Sequence, residues 1–296
     1  MKVLVTGGAG FVGSHLVDRL LKEGHNVTVL DDLSSGKKEN INKSANFVKG
    51  DIRDFKTIDA VTKGVDIIYH LAAQVSVPLS MKYPLENFKV NVLGTLNLLK
   101  AAENNNVKNF VYFSSAAVYG DPKTLPIKED SPTNPLSPYG LSKLVSEMYA
   151  KFFNIDVSIV RPFNIYGPRQ DPNNPYTGVI SKFISAAKQN KPLIIFGDGK
   201  QTRDFIYIDD VIDAVLLVTE KPGIYNIGAG KATSILELAK IILNLTDNKI
   251  NVIHKKKREG DIRHSVADIS KIKKLGFKPR YSLREGLKKM MEREYV

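Results

Sequence analysis

The chain has 296 residues, 43% hydrophobic and 25% charged, which allows about two domains of ~150 residues and excludes a disordered or fibrous class. It has no cysteine, so a disulfide-stapled fold, a thiolate nucleophile and a Cys-ligated metal are excluded; no metal site is expected. The formal net charge is +12, with 15 Lys/Arg against 6 Asp/Glu from Lys249 to Val296, a basic stretch that reads as a solvated face, as contacts to an anionic small molecule or as a nucleic-acid surface.

At the N-terminus, the apolar run Lys2–Val5 is cut by glycines far short of the ~18 residues that a membrane helix needs, and no signal-peptide cleavage pattern follows. A cytoplasmic protein without a membrane partner is expected. Short β-branched runs at Lys2–Val5, Val27–Leu30, Phe47–Lys49, Ile67–His70, Phe110–Phe113 and Val157–Val160 predict parallel strands. Between them, Ser14–Glu23, Phe55–Lys63, Phe88–Asn104 and Tyr139–Phe153 carry apolar residues at helical spacing. This alternation forces crossovers onto both faces of one sheet, so the predicted class is α/β, a Rossmann-like doubly wound parallel sheet. Past Arg161-Pro162 the rhythm breaks into Pro-, Asn- and Gly-rich loops between Tyr166 and Thr177, where a smaller C-terminal α/β lobe begins. The helical Asp209–Thr219 and strand-like Tyr225–Ile227 predict a return to the first sheet. The expected domains are therefore 1–165 with about 207–227, and 166–206 with 228–296.

Thr6-Gly7-Gly8-Ala9-Gly10-Phe11-Val12-Gly13 joins the first strand to the first helix. Glycines there permit positive φ and close approach of the backbone to a pyrophosphate, and the helix N-terminus supplies N–H donors. Asp31 lies 18 residues past Gly13 at the end of the second strand. A carboxylate at that place accepts adenosine ribose hydroxyls and repels a 2′-phosphate, which favours NAD over NADP. Asp51-Ile52, after the third strand, would lie near the adenine; a plain helix cap by Asp51 is the equal alternative.

Tyr139 and Lys143 are four apart on a predicted helix, hence on one face. An ammonium beside a phenol lowers its pKa and makes it a usable base near neutrality. Ser114-Ser115 closes a central strand at the carboxyl edge of the sheet, where ligands of such folds collect, and a serine there can donate to a substrate oxygen or relay its proton.

Gly7-x-x-Gly10-x-x-Gly13, the Ser115 motif ending in Val118-Tyr119-Gly120, Tyr139-x-x-x-Lys143, Arg161-Pro162-Phe163-Asn164-Ile165-Tyr166-Gly167-Pro168 and Arg203-Asp204-Phe205-Ile206-Tyr207 stand in this order along the chain. Together they resemble the extended short-chain dehydrogenase/reductase family, its NAD-dependent epimerase/dehydratase branch, and within that the UDP-glucose 4-epimerase group. The resemblance implies Ser115, Tyr139 and Lys143 as catalytic residues, with Lys143 also holding the nicotinamide ribose. It implies NAD contacts from Gly7, Gly10, Phe11, Val12, Gly13, Asp31, Asp32, Ser35, Gly36, Asp51, Ile52, Leu71, Ala72, Ala73, Asn91, Ser114, Tyr139, Lys143 and Phe163. On the substrate side it implies Ser115, Tyr139, Asn164, Val179, Ile195, Phe196, Arg203, Tyr207, Arg258, Asp261 and Ser265, with the arginines on the diphosphate, Phe196 beside the base and the C-terminal lobe as the nucleotide-sugar-binding domain.

Ala116 and Ala117 carry information of their own. Related dehydratases and decarboxylases have acidic side chains at one or both of these positions, because their chemistry needs a further acid/base, and alanine cannot move a proton. The resemblance thus implies reversible oxidation at one carbon: 4-epimerisation of a UDP-hexose through a 4-keto sugar, with hydride passing to NAD and back. Ser265 aligns with a position where small side chains admit an N-acetyl group, so UDP-GlcNAc and UDP-GalNAc are expected substrates beside UDP-glucose and UDP-galactose. The alternatives are another nucleotide-sugar epimerase or reductase of the family and, from another class, a non-catalytic dinucleotide-binding regulator. A homodimer built on the helices near Phe88–Asn104 and Tyr139–Phe153 is expected, with no nucleic-acid partner.

Overall fold

A computed structural model describes residues 1–171, 178–247, 249–257 and 262–293. Its elements run β1 (Lys2–Thr6), α1 (Phe11–Lys22), β2 (Asn26–Asp31), β3 (Asn46–Lys49), α2 (Phe55–Thr62), β4 (Ile67–His70), α3 (Val77–Lys82), α4 (Pro84–Phe88), α5 (Gly94–Asn104) and β5 (Asn109–Phe113). They continue with α6 (Pro138–Ala150), β6 (Asp156–Pro162), β7 (Asn164–Tyr166), α7 (Val179–Lys188), β8 (Leu193–Phe196), β9 (Thr202–Tyr207) and α8 (Ile208–Val218). The last are β10 (Gly223–Ile227), β11 (Ala232–Ser234), α9 (Ile235–Leu245), β12 (Val252–Lys255), α10 (Ser270–Lys273) and α11 (Leu283–Arg293).

Seven strands form one sheet in the order β10-β6-β5-β4-β1-β2-β3. The pairs β1–β2, β1–β4, β2–β3, β4–β5 and β5–β6 are parallel. This is the doubly wound arrangement predicted from the alternation, and β10 makes the predicted return to it. Chain order reverses between β1 and β4, the crevice beside which ligands of such sheets bind.

The chain divides into two compact units: Met1–Tyr119, Thr133–Arg161 and Ile212–Tyr225 in the first, Gly120–Pro132, Pro162–Val211 and Asn226–Val296 in the second. The excursion 120–132 joins the second unit because Ile127 pairs there: its N–H donates to Val266 O at 2.9 Å and its carbonyl accepts the Asp268 N–H at 2.7 Å. The first unit buries Leu4, Leu30, Ile58, Ile68, Leu98, Leu99 and Phe110 completely, each side chain contributing ~2 kcal/mol by leaving water. In the second, α7 and α9 pack on β8, and α9 opens with a side-chain cap, Ser234 Oγ accepting the Glu237 N–H at 3.1 Å. Among the described residues no helix is long and apolar enough to cross a membrane.

The predicted helix over Phe88–Asn104 is helical throughout but not uniformly α. Lys89–Leu93 is a π-helical turn, and the Asn91 carbonyl accepts the hydroxyls of Thr95 at 2.6 Å and Ser146 at 3.0 Å.

Candidate active site

β1 delivers the chain to Gly7, whose φ of +73° is one that residues with a Cβ rarely adopt. A Cβ at Gly7 would stand 2.7 Å from the Ala72 amide nitrogen, and one at Gly13 would stand 2.2 Å from the Gly7 carbonyl oxygen. The Gly10 N–H donates to that same carbonyl at 3.1 Å. α1 starts at Phe11 without a side-chain cap, so no capping side chain competes for the amides of its first turn, which carry the positive end of the helix dipole.

Asp31 is buried at the end of β2 and accepts the Ala9 N–H at 3.0 Å and the Leu33 N–H at 2.9 Å. Burial outweighs these bonds and raises its pKa. The carboxylate is short of donors, a condition that ribose hydroxyls would relieve. Across from it a Cβ on Gly36 would lie 3.0 Å from an Asp31 oxygen. A cradle bare of side chains at Gly7, Gly13 and Gly36 and ending on a donor-poor carboxylate fits the pyrophosphate and ribose of a dinucleotide.

The other residues expected around a cofactor fall into two groups. Leu71 and Ala72 lie against the glycine turn, their N–H groups donating to the Thr6 carbonyl at 3.1 Å and the Thr6 hydroxyl at 3.3 Å. Ala73 follows them, Phe11 and Val12 open α1, and Ser35 is exposed in the turn between Asp31 and Gly36. The second group already has partners within the protein. Asp32 accepts the N–H and hydroxyl of Ser34 at 2.8 and 2.7 Å. Both Asp51 oxygens accept from Arg53 Nε, at 2.9 and 3.0 Å, and the guanidinium holds the Asp51 pKa down. The side chain that caps α2 is Asp54 rather than Asp51. Ile52 packs in the core against Gly94. Asn91 accepts the Gln74 N–H at 2.8 Å and donates to the Gln74 carbonyl and the Ser142 hydroxyl, both at 3.0 Å.

Ser115 follows β5, and its Oγ accepts the Ala117 N–H at 3.1 Å. α6 is fixed at its start by Pro138 and by Ser137, whose Oγ accepts the Gly140 N–H at 3.1 Å. Tyr139 stands in this first turn, half-buried. Gly140 brings the helix onto the serine segment: a Cβ there would lie 2.7 Å from the Ala117 carbonyl oxygen. The Ser115 hydroxyl lies near enough to the Tyr139 phenol to lower its pKa. One turn on, buried Lys143 donates to the Phe113 carbonyl at 2.7 Å, its ammonium 5.0 Å from the centre of the Tyr112 ring.

The electrostatics differ from what the spacing predicts. Burial raises the Tyr139 pKa, and the neighbouring Ser115 hydroxyl draws it only part of the way back. The same burial pushes the Lys143 pKa down to about 7, against the attraction of Glu147. Spacing places the two side chains on one face, but loss of solvent, rather than mutual Coulomb attraction, governs both protons.

Three features had no signal in the sequence reading. His70, fully buried at the end of β4, bridges Thr6 Oγ1 at Nδ1 and Thr95 Oγ1 at Nε2, both at 2.8 Å. Because the Thr95 hydroxyl donates to the Asn91 carbonyl, Nε2 carries the proton and the ring is neutral, as its pKa far below the ordinary value requires. Glu147, one turn past Lys143, forms a buried ion pair with Arg161. Gly140 is the third, visible in the sequence only as the residue after Tyr139.

In the second unit, Phe196, Gly197, Asp198, Gln201, Lys257, Ile262 and Arg263 line a cavity of about 200 Å³. Asp198 and Arg263 close its side with two bonds of 2.7 and 2.8 Å. Arg203 and Ser265 are brought together at Thr202, whose carbonyl accepts from Arg203 Nη1 at 2.8 Å and from the Ser265 N–H at 3.2 Å. Asn164 is exposed on β7 and Val179 opens α7. Phe163 is buried, its N–H donating to Ile227 O at 2.8 Å. Ile195 and Tyr207 are fully buried in this unit, Ile195 under Gly199 and Tyr207 between the rings of Tyr166 and Tyr281. Arg258 and Asp261 lie outside the described residues.

The model of the NAD dependent epimerase/dehydratase family matches residues 3–228. A UDP-glucose 4-epimerase of Mycolicibacterium smegmatis is 41% identical over 312 aligned residues, which cover 99% of this chain and 98% of that one. The crystal structure of the UDP-glucose 4-epimerase of Thermotoga maritima with UDP-glucose is similar at a TM-score of 0.96 and 39% identity, covering 100% of this chain and 99% of the other. The UDP-N-acetylglucosamine 4-epimerase of Methanobrevibacter ruminantium, in complex with UDP-N-acetylmuramic acid, gives 0.95 and 40%, covering 98% and 97%.

Proposed function

The chain belongs to the NAD-dependent epimerase/dehydratase family, and from that premise we propose that it interconverts UDP-glucose and UDP-galactose at C4 and admits the N-acetylated pair. It is an isomerase that uses NAD. The observation that carries the C4 reading is the juxtaposition of Ser115 and Tyr139, close enough for the serine hydroxyl to lower the phenol pKa, with alanines at 116 and 117, a site able to move one proton and lacking the further acid that dehydration or decarboxylation needs.

NAD, bound at the glycine turn and Asp31, supplies a hydride acceptor and, when oxidised, a positive charge. Tyr139 removes the proton of the 4-hydroxyl and returns it after the sugar has turned its other face. Its raised pKa means that it needs a nearby cation to act as a base at neutral pH. Lys143 provides one only in its protonated fraction. Ser115 shares the proton between the phenol and the sugar oxygen. In the second unit, Arg203 and Asn164 are assigned to the diphosphate, Phe196 to the base and the small Ser265 to tolerance of an N-acetyl group.

The apolar side chains of Leu141, Met148 and Tyr149 are exposed on α6, and that of Phe152, just past its end, is 83% exposed. Tyr149 and Phe152 line an open groove together with Leu96 and Lys100 of α5. This face supports the homodimer that the family resemblance implies, with a second copy covering it. Phe152→Glu is expected to shift the mass in solution from dimer to monomer; a parent that is already monomeric contradicts the assignment.

The test is incubation of the purified protein with UDP-, dTDP- and GDP-sugars without added cofactor. The C4 epimer of a UDP-hexose is expected, with no net change in reduced cofactor. Conversion that appears only when NADH or NADPH is added, with stoichiometric loss of it, would identify a reductase, and no conversion of any sugar under either condition would favour the non-catalytic alternative.

A further inference from the structure

Arg161 opens one of the motifs quoted above, yet nothing in the proton chemistry uses it. Its guanidinium is 4% exposed and its partner carboxylate, Glu147, 3%. Arg161 Nε donates to one Glu147 oxygen at 3.0 Å and Nη2 to the other at 2.6 Å, a two-pronged pair. Each member then reaches one step further. Glu147 accepts the hydroxyl of Ser114. Arg161 Nη1 donates to the hydroxyl of Tyr119 at 2.9 Å, with the guanidinium 4.9 Å from the centre of that ring.

Ser114 and Tyr119 are the two ends of the short segment that carries Ser115, and the turn between them is the 3-10 helix Ala116–Tyr119. We propose that the buried Glu147–Arg161 pair is a clamp that sets the position of Ser115 against Tyr139, gripping the serine segment through Ser114 on one side and Tyr119 on the other. Glu147, Arg161, Ser114 and Tyr119 are on this account positioning residues, and the assignment rests on Ser115 and Tyr139 being the proton-handling pair of the proposed function.

Four physical points support it. Two ions taken out of water seldom add net stability over apolar side chains of the same size, so a buried pair calls for another role. The two elements that the pair joins, α6 and β6, are the helix bearing Tyr139 and the strand next to β5, which Ser115 follows. Glycine at 140 lets the same helix meet the Ala117 carbonyl, so the segment is seated from a third direction. Displacement of a reacting group by about 1 Å can cost ~100-fold in rate, which makes a stiff mount useful.

Ser114→Ala and Tyr119→Phe each remove one arm while Glu147 and Arg161 keep each other, so no buried charge is stranded and both variants should fold with parent-like circular dichroism. The decisive readout is titration of Tyr139 by 13Cζ NMR in NAD-loaded protein. Loss of either arm is expected to let the Ser115 hydroxyl drift from the phenol and raise the Tyr139 pKa by about half a pH unit or more. In the epimerase assay kcat should fall about tenfold with KM within twofold and the cofactor retained. A Tyr139 titration identical to the parent in both variants overturns the clamp, whatever the activity. An inactive parent would instead defeat the proposed function, while the titration would still decide the clamp.

Discussion

Lys143→Met tests the balance of forces at the site with the clearest sign. The lysine is buried with its pKa at about 7, against an ordinary 10.5. At ~1.4 kcal/mol per pH unit, that difference corresponds to ~5 kcal/mol of destabilisation when the ammonium is kept protonated below pH 7. The folded-state pKa lies below the unfolded one, so between pH 7 and 10.5 the unfolded chain binds more protons and the parent gains stability as pH rises. Methionine fills a similar volume without a charge but leaves the Phe113 carbonyl without its 2.7 Å donor, a loss of ~1–2 kcal/mol. In cofactor-free protein, the variant should therefore be ~3 kcal/mol more stable at pH 6, and at pH 10 it should have lost that advantage and fallen ~1 kcal/mol behind. Urea unfolding followed by circular dichroism at pH 6, 8 and 10 measures this. A parent–variant difference that stays constant within ~0.5 kcal/mol over that range would refute the assignment of the dominant effect to desolvation.

Glu147→Gln leaves Arg161 buried beside a neutral amide and should cost ~3–5 kcal/mol of stability, read as a lower urea midpoint; an unchanged midpoint would mean that the pair is not buried in solution. Asp31→Asn keeps the shape but removes the charge facing the ribose, and retention of NAD through gel filtration should fall by ~10-fold or more while NADP is no longer discriminated against; unaltered selectivity would contradict the role given to Asp31. His70, held neutral between two threonine hydroxyls, should show no titration of its ring carbons between about pH 5.5 and 8, whereas a midpoint inside that window would contradict the proton assignment.

The parts of this molecule legible in the sequence are those whose physics is local. Strand runs and the glycine turn are written in consecutive residues, and Asp31 stands where β2 ends, so the doubly wound sheet and the cradle could be placed before any coordinates. Tyr139 and Lys143 share a helix face by spacing alone. Their pKa values were not legible, because desolvation depends on Phe113, Tyr112 and the rest of the sheet closing over them. Nor was the Glu147–Arg161 pair, whose members lie on a helix and on the strand that follows it and meet only when α6 docks. The π turn at Lys89–Leu93 escaped because a single widened turn leaves the segment helical on both sides, and apolar spacing reads it as one helix. The excursion 120–132 escaped because one residue, Ile127, ties it to Val266 and Asp268, more than a hundred positions away.

The most direct measurement is the steady-state 4-epimerisation rate of Tyr139→Phe, made alongside a count of NAD retained per chain. Removal of the phenol oxygen should leave the cofactor bound and lower kcat by at least ~100-fold, the scale of a lost proton-transfer group. A variant that keeps its NAD and still interconverts UDP-glucose and UDP-galactose within twofold of the parent would contradict the role assigned to Tyr139.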